Sequence, residues 1–502
     1  MDHDPPPAWR ARTVPDWLVL TLACVAQFMV VLDVSIVNVA LPAIKADLGF
    51  SQSGLQWVLN AYTLAFAGFL LLGGRAADLY GRRRVFLLGL GVFTGASLLG
   101  GFAQDQAMLI GARAIQGLGG AILSPATLTI LTTTFSEPKA RSRAMGMWSA
   151  VAGAGGAAGA LLGGVLTQEL SWRWILFINV PIGAAAMVAA RAFLQETRGA
   201  GERQPLDVRG AVLVTAGLTA LVYGLVRSAN VGWTSWQTAL ALTGAAGLVA
   251  WFLVHESRRA VSPLMPIAMF ARRSIWSANL VMLLLAGAIF AMWFFVSLYL
   301  QDVLAYSPLR TGFAFLPQTL AIVFGAQLSS RLILRIGPRP LLVAGAASAA
   351  AGLFWLGQVG VHSAYWTDIL PPSVLITLGL GLSFTPLAYA STAGVAPHEA
   401  GLASGLVNTS RQIGGAIGLA ALATVAVNRM DSALRSAGPS LSRSRAVVTE
   451  ATTQGYTEAF LVSAFIALAA MVAAVLVPTV RRRSSAPIEV PSGELATAPA
   501  EN

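Results

Sequence analysis

Three charged side chains stand inside apolar runs of this 502-residue sequence: Asp33, Arg113 and Arg411. Asp33 lies about 15 residues into the run 17–40, which at about 1.5 Å per residue places it in the outer half of a bilayer. An ionisable group at that depth is costly unless it is paired or reached by water, so function is its first reading. A carboxylate can take up and release a proton. Asp33 is nearly the only one inside the apolar runs, since Asp302, Asp368 and Glu458 fall at run ends. The plainer alternative is an aspartate at a helix end, because Pro42 follows soon after it. Arg113 enters its own run from the same side and reaches a similar depth, which permits pairing with Asp33. A paired arginine lowers a carboxylate's pKa and a dry site raises it. Motion that separates the two would therefore load and release a proton. The alternative is an arginine snorkelling to the outer headgroups. Arg411 sits near the midplane with Asn408 and Gln412 beside it and calls for a cavity; the alternative is an arginine capped by backbone carbonyls.

These residues need spans to hold them. Apolar stretches long enough to cross about 30 Å of hydrocarbon fall at 17–40, 54–74, 84–103, 107–131, 142–166, 173–193, 209–227, 238–255, 275–301, 311–333, 339–358, 369–392, 399–427 and 457–480. That predicts fourteen transmembrane helices, an all-α membrane protein. Composition agrees, with 56% hydrophobic and 11% charged residues against about 25% charged in an average soluble domain. The 50 glycines suit helices that pack backbone to backbone in lipid. The first run is too long for a cleaved signal peptide and reads as a retained span.

The net charge of +11 would suggest nucleic acid in a soluble chain, but the basic residues sort by loop parity. Loops of one parity hold 23 Lys and Arg, among them Arg82, Arg83 and Arg84, and the others hold 8. The richer side is expected to be cytoplasmic, with both termini on it. No nucleic-acid partner is expected. The two lysines, Lys45 and Lys139, follow no glycine-rich loop, so there is no P-loop and the driving force is a gradient or another subunit. Cys24 is the single cysteine, and the four histidines lie at helix ends or in tails. No metal site, cofactor or catalytic constellation is expected.

Internal repetition refines the count. The segment from Gly146 superposes on that from Gly405 at an offset of 259, matching Gly155, Gly156 and Gly159 to Gly414, Gly415 and Gly418. Ser124-Pro125 recurs as Thr385-Pro386. Spans three to five thus map onto eleven to thirteen, leaving two helices unmatched. The expected order is a tail (1–16), a six-helix bundle (17–195), a two-helix insertion (196–260), a second six-helix bundle (261–480) and a tail (481–502).

Between spans two and three the chain reads Gly74-Arg75-Ala76-Ala77-Asp78-Leu79-Tyr80-Gly81-Arg82-Arg83-Arg84. This resembles the G-x-x-x-D-x-x-G-R-R-R motif of the major facilitator superfamily. The resemblance implies that Gly74, Asp78, Gly81, Arg82 and Arg83 form a cytoplasmic gate that latches two halves together; a positive-inside anchor accounts for the arginines but not for Asp78. Further stretches resemble the fourteen-span drug:proton antiporter branch, in order LDVSIVNVALPAI, QWVLNAYTLAFA, RAIQGLGGAILSPA, WRWILFINVPIG, YLQDVLAYSPLRTGFAFLP and GLASGLVNTSRQIGGAIG. Arg113 begins the family's R-x-x-Q-G motif, which implies proton coupling for Arg113 with Asp33. Gly146, Gly155, Gly159, Gly163 and Gly164 resemble the antiporter glycine pattern, which implies a helix at the interface between halves that controls the outward seal. Ala160 stands where that pattern has proline.

The resemblance implies the major facilitator fold and a proton-coupled antiporter in the bacterial cytoplasmic membrane, exporting apolar or amphipathic small organic molecules. An importer with the same fold is the alternative. Asn38, Gln116, Gln318, Asn408, Arg411, Gln412, Trp293 and Phe294 are the candidates to line a substrate cavity, although aromatics such as these in span nine serve more often in packing. One acid among two arginines disfavours dications and leaves neutral, monocationic or anionic substrates. Small molecule, protons and lipid are the expected partners of a monomer. The loop 428–456 is read as solvated and outside.

Overall fold

An apolar helix in lipid satisfies its backbone internally, so a chain of this composition builds its fold from helices alone. The computed structural model describes residues 15–135, 137–196, 206–260, 263–265, 267–393, 395, 400–438, 442 and 444–478, and among them there is no strand. The first bundle comprises α1 (Asp16–Leu48), α2 (Trp57–Tyr80), α3 (Arg82–Gly101), α4 (Gln106–Thr134), α5 (Pro138–Glu169), a single turn α6 (Trp174–Phe177) and α7 (Asn179–Phe193). Two helices follow, α8 (Val208–Val231) and α9 (Trp236–Arg258). The second bundle holds α10 (Arg273–Leu298), α11 (Pro308–Ile336), α12 (Pro338–Leu356), α13 (Leu370–Thr392), α14 (Ala400–Ala437) and α15 (Arg445–Val475). With α6 and α7 counted as one span, fourteen stretches among the described residues are long and apolar enough to cross a membrane.

Two expectations change. The stretch 428–456 is not a long loop, because α14 runs on to Ala437 and α15 starts at Arg445. Falling hydropathy marks where a span leaves hydrocarbon, not where its hydrogen-bonding ends. Likewise α1 continues through Pro42 to Leu48. Asp33 is therefore mid-helix, and the helix-end reading is set aside.

Pro42 has a further effect. Lacking an N–H, it leaves the carbonyl one turn back, that of Asn38, without its helical donor. Ser297 Oγ of α10 donates to that oxygen at 2.6 Å, and Gln301 Nε2 donates to Val39 O at 3.0 Å. Gln52 Nε2 to Tyr456 Oη (2.9 Å) and Leu309 N to Gln168 Oε1 (3.4 Å) also join the halves. All four lie toward the end of the bundle that carries Asp47, where Trp172 and Arg173 both donate to the Asp47 carboxylate.

The repeat seen in sequence is a repeat in packing. A Cβ on Gly155 would stand 3.2 Å from Phe28 O of α1, and one on Gly159 would stand 2.8 Å from Leu32 O. Their counterparts Gly414 and Gly418 meet Leu283 O and Gly287 O of α10 in the same way. Each half thus seats its fifth helix against its first through missing side chains. Gly163 extends the stripe onto Ile36 O, whereas Gly164 faces Pro308 O of the other half, and Gly312 of α11 meets Ala160 O. The glycine stripe therefore holds α1, while α5 also packs along α11 of the opposite half, with Gly153 beside Val323, Gly164 at Pro308 and Gln168 bonded to Leu309. Gly146 has nothing within 4 Å of an added Cβ. The α5 helix runs unbroken through Ala160.

The inserted pair is more than a connector. Leu218, Val222 and Val226 of α8 share an apolar cluster with Leu64 of α2 and with Ala416 and Ala420 of α14, so α8 covers the seam between the bundles. Thr424 Oγ1 donates to Leu225 O across it at 2.9 Å. At its start, the Asp207 carboxylate caps α8 by accepting from Gly210 N. Burial alone would raise the Asp207 pKa, but hydrogen bonds from Gly210 N–H, His255 and Glu256 outweigh it and hold the carboxyl below its usual range.

Gly159→Ala places a methyl 2.6 Å from Ser35 Cβ and against a backbone oxygen, and is expected to destabilise the bundle by about 1–3 kcal/mol. Gly146→Ala is expected to be neutral or to gain up to about 1 kcal/mol from helix propensity. Unfolding midpoints in detergent measure both, and equal midpoints for the two variants would remove the packing argument.

Candidate functional site

The site is built where α1, α3, α4 and α7 converge. Asp33 is 0% and Arg113 1% exposed, and Arg113 Nη1 lies 2.6 Å from Asp33 Oδ2. The other carboxylate oxygen accepts from Gln116 Nε2 at 2.6 Å and from Asn179 Nδ2 at 3.2 Å. Arg113 spends its remaining reach within the protein, donating from Nε to Val58 O at 3.0 Å and from Nη1 to Gln116 Oε1 at 2.6 Å. Its guanidinium stands 4.5 Å from the centre of the Tyr62 ring, close enough for a cation–π contact. Gln116 Nε2 also donates to Ser97 Oγ (2.7 Å), which passes its own proton to Phe93 O (2.9 Å). The result is a neutral pair in which both charges are hydrogen-bonded, the condition under which burial of ions is tolerated.

Local sequence explains the convergence. Gly117 and Gly120 let α4 approach Tyr62 and Phe66 of α2, and Gly119 lets it approach Phe93 of α3. Arg113 and Gln116, three residues apart, then share one face of α4 and point at α1. Two polar atoms beside the pair, Tyr62 Oη and Asn179 Oδ1, have no hydrogen-bond partner among the described residues.

The structure gathers Asp33, Arg113 and Gln116, and adds Asn179, Ser97 and Tyr62, which were not singled out. Asn179 and Tyr62 stand inside the quoted stretches WRWILFINVPIG and QWVLNAYTLAFA. The signal that could have found them is a polar side chain inside an apolar span at the depth of the pair.

The other candidates lie apart. Asn38 donates from Nδ2 to Val34 O and belongs to the α1–α10 seam. Gln318 is 1% exposed on α11, and neither of its amide atoms finds a partner among the described residues. Arg411 is tied to Asn408 and stands on α14 with the buried Gln412. Trp293 is half-buried and tilted against Phe290. Phe294 is 1% exposed and meets Phe295 edge to face in the core, so it packs rather than lines a cavity. A groove of about 870 Å³ between α2, α8 and α9, walled by Trp57, Phe69, Tyr223 and Trp236, contains none of these residues.

At the opposite end of α2, Gly81 has φ +103°, a conformation suited to glycine. An added Cβ there would collide with the Glu196 carboxylate, which accepts from Arg84 N at 3.2 Å and lies 3.5 Å from Arg84 Nε. Arg83 Nη2 donates to Arg191 O at 2.6 Å. These contacts tie the turn to the end of α7. The Asp78 side chain lies outside the described residues, Gly74 sits within α2, and Arg82 opens α3.

The Major Facilitator Superfamily model matches residues 23–419. The chain is 49% identical over 408 residues to a cephamycin export protein of Amycolatopsis lactamdurans, covering 81% of this chain and 84% of that one. It is 42% identical over 447 residues to a puromycin resistance protein of Streptomyces alboniger, covering 88% and 87%. A tetracenomycin C resistance and export protein of Streptomyces glaucescens is 37% identical over 432 residues, covering 85% and 78%. Among solved structures, a bacterial homologue of the human lysosomal transporter Spinster, inward-facing and unoccupied, superposes with a TM-score of 0.67 over 93% of this chain and 98% of that one, at 17% identity.

Removing one partner of a buried pair strands the other charge, so Asp33→Asn and Arg113→Gln are each expected to cost about 3–5 kcal/mol. The double variant should lose less than the sum of the two. Unfolding titrations in detergent measure this cycle, and simple additivity would mean that the two charges do not sustain each other.

Proposed function

The chain belongs to the Major Facilitator Superfamily, and from that premise we propose that it is an efflux transporter of small organic molecules in a bacterial cytoplasmic membrane, driven by proton entry. Three relatives that match most of the chain are named for antibiotic export or resistance. The observation that carries the coupling is the carboxylate at the middle of α1, sealed from solvent and held by one arginine and two amides.

The chemistry follows from the pair. With Asp33 ionised, Arg113 and the amides of Gln116 and Asn179 bind α1 to α4 and α7. Protonation removes the negative charge and most of the attraction, because a hydrogen bond to an ion is about twice as strong as one to a neutral group. The α1 helix is then free to shift relative to α4, exposing the acid to the other side, where the proton leaves and the pair reforms. Tyr62 Oη and Asn179 Oδ1, both unsatisfied, mark where an incoming water would find partners beside the acid. The arginine-rich end with Gly81 is taken as cytoplasmic, so the four hydrogen bonds between halves close the outer end. Alternating access then consists of breaking that outer seam while the Gly81 end closes.

The test uses inverted vesicles at equal amounts of inserted protein. Wild-type vesicles should accumulate a panel of amphipathic antibiotics when acidified inside, and should consume the proton gradient as they do so. Asp33→Asn should lose that proton-dependent accumulation almost completely. Unchanged accumulation in the variant would sink the assignment of Asp33 to the proton.

A further inference from the structure

Arg411 is the remaining charge in the middle of a span, and its surroundings differ from those of Arg113 in every respect that matters. Arg113 is consumed by an ion pair, a glutamine and a backbone carbonyl. Arg411 donates from Nε (3.1 Å) and Nη2 (2.8 Å) to a single neutral atom, Asn408 Oδ1. A guanidinium carries five N–H donors, so most of its capacity remains unspent. Among the described residues no carboxylate pairs with it. It is half-buried rather than enclosed, so part of its surface stays accessible.

Packing does not explain the residue. At the repeat offset of 259, the equivalent of Arg411 on α5 is Ala152, so the same helix in the first half does without a charge. Asp33 in turn maps onto Ala288 at the offset of 255 that relates Leu32 to Gly287 in their helix contacts. Among the described residues, the first half therefore carries a paired charge in mid-span and the second carries Arg411 in mid-span with no carboxylate beside it.

We propose that Arg411 receives the anionic group of the transported molecule, which makes organic acids, carboxylates first, the preferred substrate class; this rests on the efflux reading above. Asn408 fixes one edge of the guanidinium plane and leaves the rest of the fork for a carboxylate, the ligand to which its geometry is matched. Bringing an anion to this position neutralises a charge that the protein leaves unpaired at bilayer depth. One turn along α14, the Phe290 ring lies against Gly415 and offers an apolar wall for the body of the molecule. A neutral molecule gains only the wall, and a cation is repelled.

The experiment measures accumulation in inverted vesicles of dansyl-amino acids as free acids, each matched with its neutral amide. Wild type should favour the acids. In Arg411→Gln the acid-to-amide ratio should fall about tenfold or more, the scale of one lost hydrogen bond to an ion, while Arg411→Lys, which keeps the charge, should retain most of it. A wild type that favours the amides, or an Arg411→Gln ratio equal to wild type, overturns the anion site and leaves the exporter standing. Movement of neither set by wild type overturns the efflux reading and this inference with it.

Discussion

A carboxylate in the middle of a transmembrane helix is the constraint around which the first half is arranged. Asp33 cannot be left alone at that depth, so α4 must bring Arg113 and Gln116 to it and α7 must bring Asn179. Those reaches are short, which requires α4 to lie close to α2 and α3 and α5 to lie close to α1. Glycine supplies both approaches, at Gly117, Gly119 and Gly120 on α4 and at Gly155, Gly159 and Gly163 on α5. The α4 glycines thus serve the enclosure of the ion, whereas those on α5 follow the general habit of lipid-embedded helices.

The second half repeats the scaffold without the ion. Gly414 and Gly418 seat α14 against α10 as Gly155 and Gly159 seat α5 against α1, yet Ala288 stands where Asp33 would. Because the close packing survives without the acid, the scaffold does not depend on it. The acid is an addition to one copy, and Arg411 is an addition to the other.

Much of this was legible in the residues. The fourteen spans, the repeat and the depth-matched pair all follow from where charges and glycines interrupt apolar runs. What could not be read depended on contacts between distant segments. The helical course of 428–437 and 445–456 was hidden because hydropathy reports the solvent and not the backbone, so α14 and α15 looked shorter than they are. Asn179 escaped because its partner Asp33 lies on another helix, and without comparing its depth with that of the pair it reads as a helix-start asparagine. The duty of the glycine stripe was only partly legible for the same reason: the spacing of Gly155, Gly159 and Gly163 fixes a face of α5, but not that this face meets α1 while α5 also packs against α11 of the other half. The contact of the Gly81 turn with Glu196 was equally invisible, since Glu196 lies more than a hundred residues further along the chain.

The proposed proton site in one half and the proposed anion site in the other demand a mechanical link, and α1 provides one. Asp33 and Pro42 lie on the same continuous helix. Pro42 releases the carbonyl of Asn38, and Ser297 of α10 takes it up. On that mechanism, a change in how firmly Arg113 holds Asp33 is a change in the position of the helix that carries the seam between the halves. On the far side of that seam, α10 is the partner against which Gly414 and Gly418 seat α14, the helix that carries Arg411. On the proposed mechanism, protonation in the first half and occupancy in the second act on opposite faces of one contact, α1 against α10. Coupling between them requires no direct meeting of Asp33 and Arg411, only that this contact has two arrangements and that each site prefers a different one.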